Sequence, residues 1–184
     1  MKTVMRSLLL ATIGTAVLAI APAASATTFA VNTTPNFTST AGPGGTFSGG
    51  FYNTGLAAGA FSDTFTFTLP TNGFGSGTVT TSANVLGSPN DLDFTSVTIN
   101  GVTATLTKLG GGLNESAFAN NVPIVAGVLN SIVVTGVSRG NGAYGGQLAF
   151  IPGVPEPATW GLLMVGFGMV GVSIRRRSSN VVAA

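Results

Sequence analysis

The chain has 184 residues with neither cysteine nor histidine, which excludes disulfide staples, thiolate or imidazole metal sites, and any triad built on a Cys nucleophile or a His base. Its formal charge of +2 comes from the two ends: between residues 27 and 154 only Lys108 and Arg139 stand against Asp63, Asp91, Asp93 and Glu115, a net of −2. A region so poor in cations has no basic stripe with which to neutralise phosphates, so nucleic acid is excluded as a partner.

At the N-terminus Lys2 and Arg6 precede an apolar run from Leu8 to Ala21, and Ala24-Ser25-Ala26 supplies the small-x-small pattern that signal peptidase reads. Residues 1–26 are therefore expected to be a signal peptide cut after Ala26, with Ala24 and Ala26 in the peptidase pockets. The run is short for a permanent span, and Pro22 interrupts it.

Residues 27–152 are expected to form an exported all-β domain. The stretch is rich in Gly, Ser, Thr, Asn, Val and Phe, with short alternating runs between turn signals and no useful helical period. Thr27 to Gly45 reads as a loosely ordered arm. Thr46 to Tyr52 reads as a strand, and Phe61 to Leu69 alternates cleanly until Pro70 and Asn72-Gly73 end it. The apolar parity of that strand, Phe61, Phe65, Phe67 and Leu69, also contains Asp63. A buried carboxylate needs a partner or an edge position, and Arg139 is the leading partner.

Strands are further expected near Thr78 to Leu86, Val122 to Val125, Val128 to Val137 and Tyr144 to Ile151. Between them lies the clearest local signal: Asp93 to Ile99, then Asn100-Gly101, then Val102 to Lys108, a two-residue type I′ hairpin. Its register places Ile99 opposite Val102, Val97 opposite Ala104 and Thr95 opposite Leu106 on one face, with Asp93 falling opposite Lys108. Gly110-Gly111-Gly112 reads as a flexible loop. The strand spacing predicts an antiparallel β-sandwich, jelly-roll-like, of two packed sheets.

Residues 153–184 form a different kind of segment. Val154-Pro155-Glu156-Pro157 is expected to be extended, because each proline pushes its predecessor out of the helical region. From Ala158 to Ile174 the chain is uncharged, and Arg175-Arg176-Arg177 follow at once. Residues 158–174 are expected to be a transmembrane helix of about 25 Å, thin against a hydrocarbon core of roughly 30 Å. Trp160 is expected to anchor one interface, and Arg175, Arg176 and Arg177 to stop transfer at the cytoplasmic side. None of Gly161, Gly166, Gly168 and Gly171 is four residues from another, so there is no GxxxG dimer motif.

Pro155-Glu156-Pro157, Ala158-Thr159-Trp160, Gly166-Phe167-Gly168 and Arg175-Arg176-Arg177 together resemble the PEP-CTERM sorting signal of Gram-negative bacteria. The resemblance covers residues 154–177. It implies recognition by an exosortase, a membrane-embedded protease or transpeptidase, with transient membrane insertion before release to the cell surface or extracellular matrix. It also implies an association with exopolysaccharide and biofilm. Phe61-Ser62-Asp63-Thr64-Phe65 is similar to the FxDxF signature of one subgroup of these proteins.

No catalytic constellation or cofactor motif is legible, and the chain is expected not to be an enzyme. The alternative is a secreted carbohydrate-binding or polysaccharide-hydrolysing protein that uses a carboxylate pair drawn from Asp63, Asp91, Asp93 and Glu115. Asn90-Asp91-x-Asp93 reads as a turn and not as a calcium loop, because too few carboxylates lie nearby to complete a shell. Tyr52 and Tyr144 read as core aromatics in preference to a sugar-stacking platform.

Overall fold

A computed structural model describes residues 24–153 and 156–178. The elements are β1 (Ser25–Ala30), β2 (Phe37–Ala41), β3 (Phe47–Leu56), β4 (Gly59–Phe67), β5 (Gly73–Ser82), β6 (Leu92–Ile99), β7 (Val102–Thr103), β8 (Thr105–Leu109), β9 (Asn114–Ile124), β10 (Asn130–Ser138), β11 (Gly142–Pro152) and α1 (Glu156–Ser178). The strands form two sheets, one ordered β1-β4-β10-β6-β7 and the other β2-β3-β11-β5-β9-β8. Every pairing is antiparallel except β1 with β4. All-β and largely antiparallel are therefore right. The five- and six-stranded sheets and the parallel edge pair differ from a jelly roll of two four-stranded sheets.

The alternation in β4 explains why it is a strand: Phe61, Asp63, Phe65 and Phe67 are buried while the residues between them are half-exposed. The same period in β10 buries Ile132 and Val134 against them. Aromatic rings then bridge the two sheets. Phe65 of β4 meets Phe37 of β2 edge to face at 5.6 Å and Phe51 of β3 at 4.8 Å.

The arm expected over Thr27 to Gly45 is instead two edge strands and a short 3-10 turn. Phe37 is wholly buried and contacts Phe51, Phe65 and Phe67. Its strand looks unstructured in sequence because the rings that Phe37 packs against lie 14 or more residues away, and only burial against them orders it. The expected cleavage after Ala26 falls inside β1, where Ser25 and Ala26 pair with Phe61 and Ser62. The rest of the predicted signal peptide, residues 1–23, lies outside the described residues.

The Asn100-Gly101 turn is present, with φ of 48° and 79° at the two positions, as a type I′ turn requires. The expected register holds for Ile99 with Val102 and Thr98 with Thr103, and the Ala104 amide still donates to the Val97 carbonyl. Beyond Ala104 the chain changes sheets. Thr105 to Leu109 pair with β9, so Thr95 never faces Leu106. A β-bulge where β10 meets β6 at Thr135 and Gly136 also flips the parity: Phe94, not Thr95, is buried with Val97. No atom lies within 4 Å of where a Cβ on Gly101 would stand. Gly101→Ala is therefore expected to cost about 1 kcal/mol through backbone strain alone, read as a lower urea midpoint with an unchanged slope.

Gly110–Gly112 is a 3-10 turn with Gly112 buried, not a free loop. Strand ends also shift from the sequence reading: β5 lies earlier than Thr78 to Leu86, and β11 extends beyond Tyr144 to Ile151 at both ends. β9 begins at Asn114, eight residues before its apolar end at Val122, because Glu115 occupies a buried position that its charge disguises.

Candidate functional site

β11 runs out of the sandwich at Pro152, and the Gly153 amide donates to the Asn72 carbonyl. Pro155 lies outside the described residues. Glu156 and Pro157 open α1, so the extended segment expected up to Pro157 stops short of Glu156. Proline is accepted there because the first helical turn has no intrahelical use for its missing N–H. Trp160 is exposed, as is every residue from 160 to 176, and Arg175–Arg177 fall in the last turn, where the helix dipole favours cations.

Among the described residues, however, no helix is long and apolar enough to cross a membrane. The span expected over residues 158–174 is thus not shown by the described part of this helix. Glycines at 161, 166, 168 and 171 dilute the hydropathy, and Arg175 ends the run short of the ~20 apolar residues that a comfortable span needs.

Five of the six charged side chains of the sandwich gather at the end opposite the tail. They form one string of alternating sign: Asp91, Arg139, Asp93, Lys108, Glu115. Arg139 follows β10 and reaches Asp91 Oδ2 through Nε at 3.2 Å and Asp93 Oδ2 through Nη2 at 2.6 Å. Lys108 Nζ lies 3.7 Å from Asp93 Oδ1 and donates to Glu115 Oε1 at 2.6 Å. Glu115 is buried, and its Oε2 accepts the Phe94 amide at 2.7 Å. Asp91 is buried too and accepts the Gly87 amide at 2.6 Å. The string crosses from β6 to β8 and β9 and so ties the two sheets together.

The expected pairing of Asp93 with Lys108 is thus present, but across the sheets and not within a hairpin. Arg139 is taken up by Asp91 and Asp93 and does not serve Asp63. Asp63 is fully buried, and its Oδ2 accepts from Tyr144 Oη at 2.7 Å and from Asn53 Nδ2 at 2.8 Å. Its Oδ1 meets no donor among the described residues. The two flanking phenylalanines grip the same tyrosine: Phe61 stacks on Tyr144 at 5.7 Å and Phe65 meets it edge-on at 6.3 Å. Phe61, Asp63 and Phe65 therefore act as a clamp from one sheet onto one residue of the other. Burial, and then the hydrogen bond to Asp63, hold the Tyr144 phenol well above its ordinary titration range.

This clamp escaped the sequence reading because Tyr144 lies 81 residues from Asp63. Its only trace was a carboxylate on an apolar strand face. Asn90 and Asp91 form the turn expected of them, with the Asp91 amide donating to the Ser88 carbonyl and Ser88 Oγ donating to Asn90 Oδ1. Among the described residues no group of three potential ligands is placed to hold a metal ion.

The tail-side end of the sandwich has the opposite character. An apolar cavity of about 170 Å³ opens there between the sheets, walled by Phe37, Phe67, Leu69, Ile99, Ile132 and Phe150 among others. No charged side chain lines it.

Residues 153–177 match the PEP-CTERM protein-sorting motif. A tail of this kind marks a protein for export, membrane-anchored transit and sorting by an exosortase to the cell surface or beyond. No curated protein matches the chain.

Proposed function

We propose that the protein is exported with residues 1–26 as a signal peptide, held at the membrane by its tail, cut there by an exosortase, and released as a non-enzymatic β-sandwich of the cell surface or matrix of a Gram-negative bacterium. In this reading residues 27–152 are the delivered cargo, associated with exopolysaccharide or biofilm, and residues 153–184 are the address. The match of residues 153–177 to the sorting motif carries the proposal. Pro155, Glu156 and Pro157 supply the cleft-binding sequence, with Glu156 the sole carboxylate after Glu115.

The state of the carboxylates supports a cargo without catalysis. A glycoside hydrolase needs two carboxyl groups facing a cleft, one to donate a proton and one to attack or to activate water. Asp91, Asp93 and Glu115 are each held by a lysine or arginine, and Asp63 is sealed between the sheets. The subgroup signature Phe61-x-Asp63-x-Phe65 is accordingly read as a folding device.

Replacing Pro155, Glu156 and Pro157 together by alanine in the full chain is the direct test, in a host that carries an exosortase. Mass spectrometry is expected to find wild-type surface protein without Trp160 to Ala184, and the variant retained in the membrane fraction with its tail intact. Wild-type exported protein that still carries Trp160 to Ala184 would overturn the reading.

A further inference from the structure

The sandwich is polarised along its strands. All charged side chains but Asp63 lie at the end remote from the tail, in the string from Asp91 to Glu115. The tail-side end carries none of them and instead exposes large apolar groups. Phe74 of β5 stands beside Ile151 of β11 and Pro123 of β9 in the last row but one of one sheet. Next to them the loop joining β9 to β10 presents Val125, Val128 and Leu129, the last 72% exposed. That loop is fastened to the same end by the Ala126 amide on Asn72 Oδ1 and the Gly127 amide on the Leu69 carbonyl.

Covalent geometry fixes where this collar sits. Gly153 is three residues from Glu156, the first residue of α1. Three extended residues reach at most ~11 Å. A tail inserted in a bilayer therefore holds the collar, and not the charged end, at the lipid surface. Val85, Leu86 and Leu109 are also exposed, but they stand among the ion string, whose desolvation would oppose burial in lipid.

We propose that this collar, Phe74, Pro123, Val125, Val128, Leu129 and Ile151, is a membrane-docking surface that rests on the outer face of the bilayer while the tail is attached. It adds a shallow second contact beside a helix that is thin for a full span. Docking also presents residues 153–157 at the lipid surface, where a membrane-embedded protease can reach them. The proposal rests on the tail reading above, and once the tail is cut the collar alone is too small to hold the domain, so release follows.

Because the chain has no cysteine, single positions can be labelled cleanly. Full-length Leu129→Cys, Asn90→Cys and Leu163→Cys, each carrying an NBD fluorophore, are reconstituted into phosphatidylethanolamine/phosphatidylglycerol vesicles with or without doxyl-labelled lipid. Position 129 is expected to emit at shorter wavelength and to be quenched about twofold by shallow doxyl groups, with Asn90 in the charged-end turn unaffected and Leu163 quenched by deeper ones. Quenching at 163 without quenching at 129 overturns the docking surface and leaves the tail reading intact. Quenching at 129 without quenching at 163 removes the tail reading and with it the proposal that the tail seats the collar, and quenching at neither overturns both. A blue shift at 129 that follows protein concentration, with no response to doxyl lipid, assigns the collar to a second copy of the chain and overturns lipid docking.

Discussion

Lys108→Met is expected to cost about 3 kcal/mol, the low end of what breaking a buried ion pair costs, because Lys108 itself is partly exposed. The substitution keeps an unbranched apolar side chain at this position of β8 and removes the ammonium. Glu115 Oε1 then loses its donor while the side chain stays buried, with the Phe94 amide on the other oxygen. Urea unfolding followed by circular dichroism reads the loss as a lower midpoint. The double variant Lys108→Met with Glu115→Leu is expected to recover part of it, since an apolar pair leaves no stranded charge. A single variant as stable as wild type would mean that the ion string contributes nothing to joining the sheets. Added salt is expected to weaken the exposed Arg139–Asp93 contact more than the bond to buried Glu115.

Tyr144→Phe is the second large effect, about 2 kcal/mol at neutral pH. The ring contacts with Phe61, Phe65 and Phe94 survive. Only the hydroxyl goes, which leaves Asn53 as the one donor to a carboxyl that already has an unpartnered oxygen. The same hydroxyl has a signature at high pH. Folding holds the phenol protonated above its ordinary value of 10, so above that pH the unfolded chain binds fewer protons than the folded one. Its contribution is complete below pH 10 and is lost as pH rises, by about 1.4 kcal/mol per unit. Wild-type stability is expected to fall steeply above pH 10 and that of Tyr144→Phe to fall less. Parallel curves for the two proteins would rule out the buried phenol as the cause.

Local chemistry was legible from the residues. The Asn100-Gly101 turn, the alternation of Phe61, Phe65 and Phe67, and the uncharged run ending in Arg175 each depend on neighbours a few positions away. The sorting motif was legible for the same reason, as a contiguous stretch read by another protein, and it matches at residues 153–177.

Partnership across the two sheets was not legible. Phe37 has little to mark it in a polar stretch, yet it is central to the core. Thr105 leaves its hairpin and pairs with β9 of the other sheet. Arg139 is the cation left for Asp63 once the hairpin register pairs Lys108 with Asp93, whereas the tertiary structure delivers it to Asp91 and Asp93 and hands Asp63 a tyrosine and an asparagine. Side-chain period and turn chemistry are properties of the chain at short range, so sequence by itself determined the strands' character, the turn and the address. Which strand faces which is settled only when distant apolar faces exclude water together, and that closure alone decided the clamp on Tyr144, the ion string and the charge-free end beside the tail.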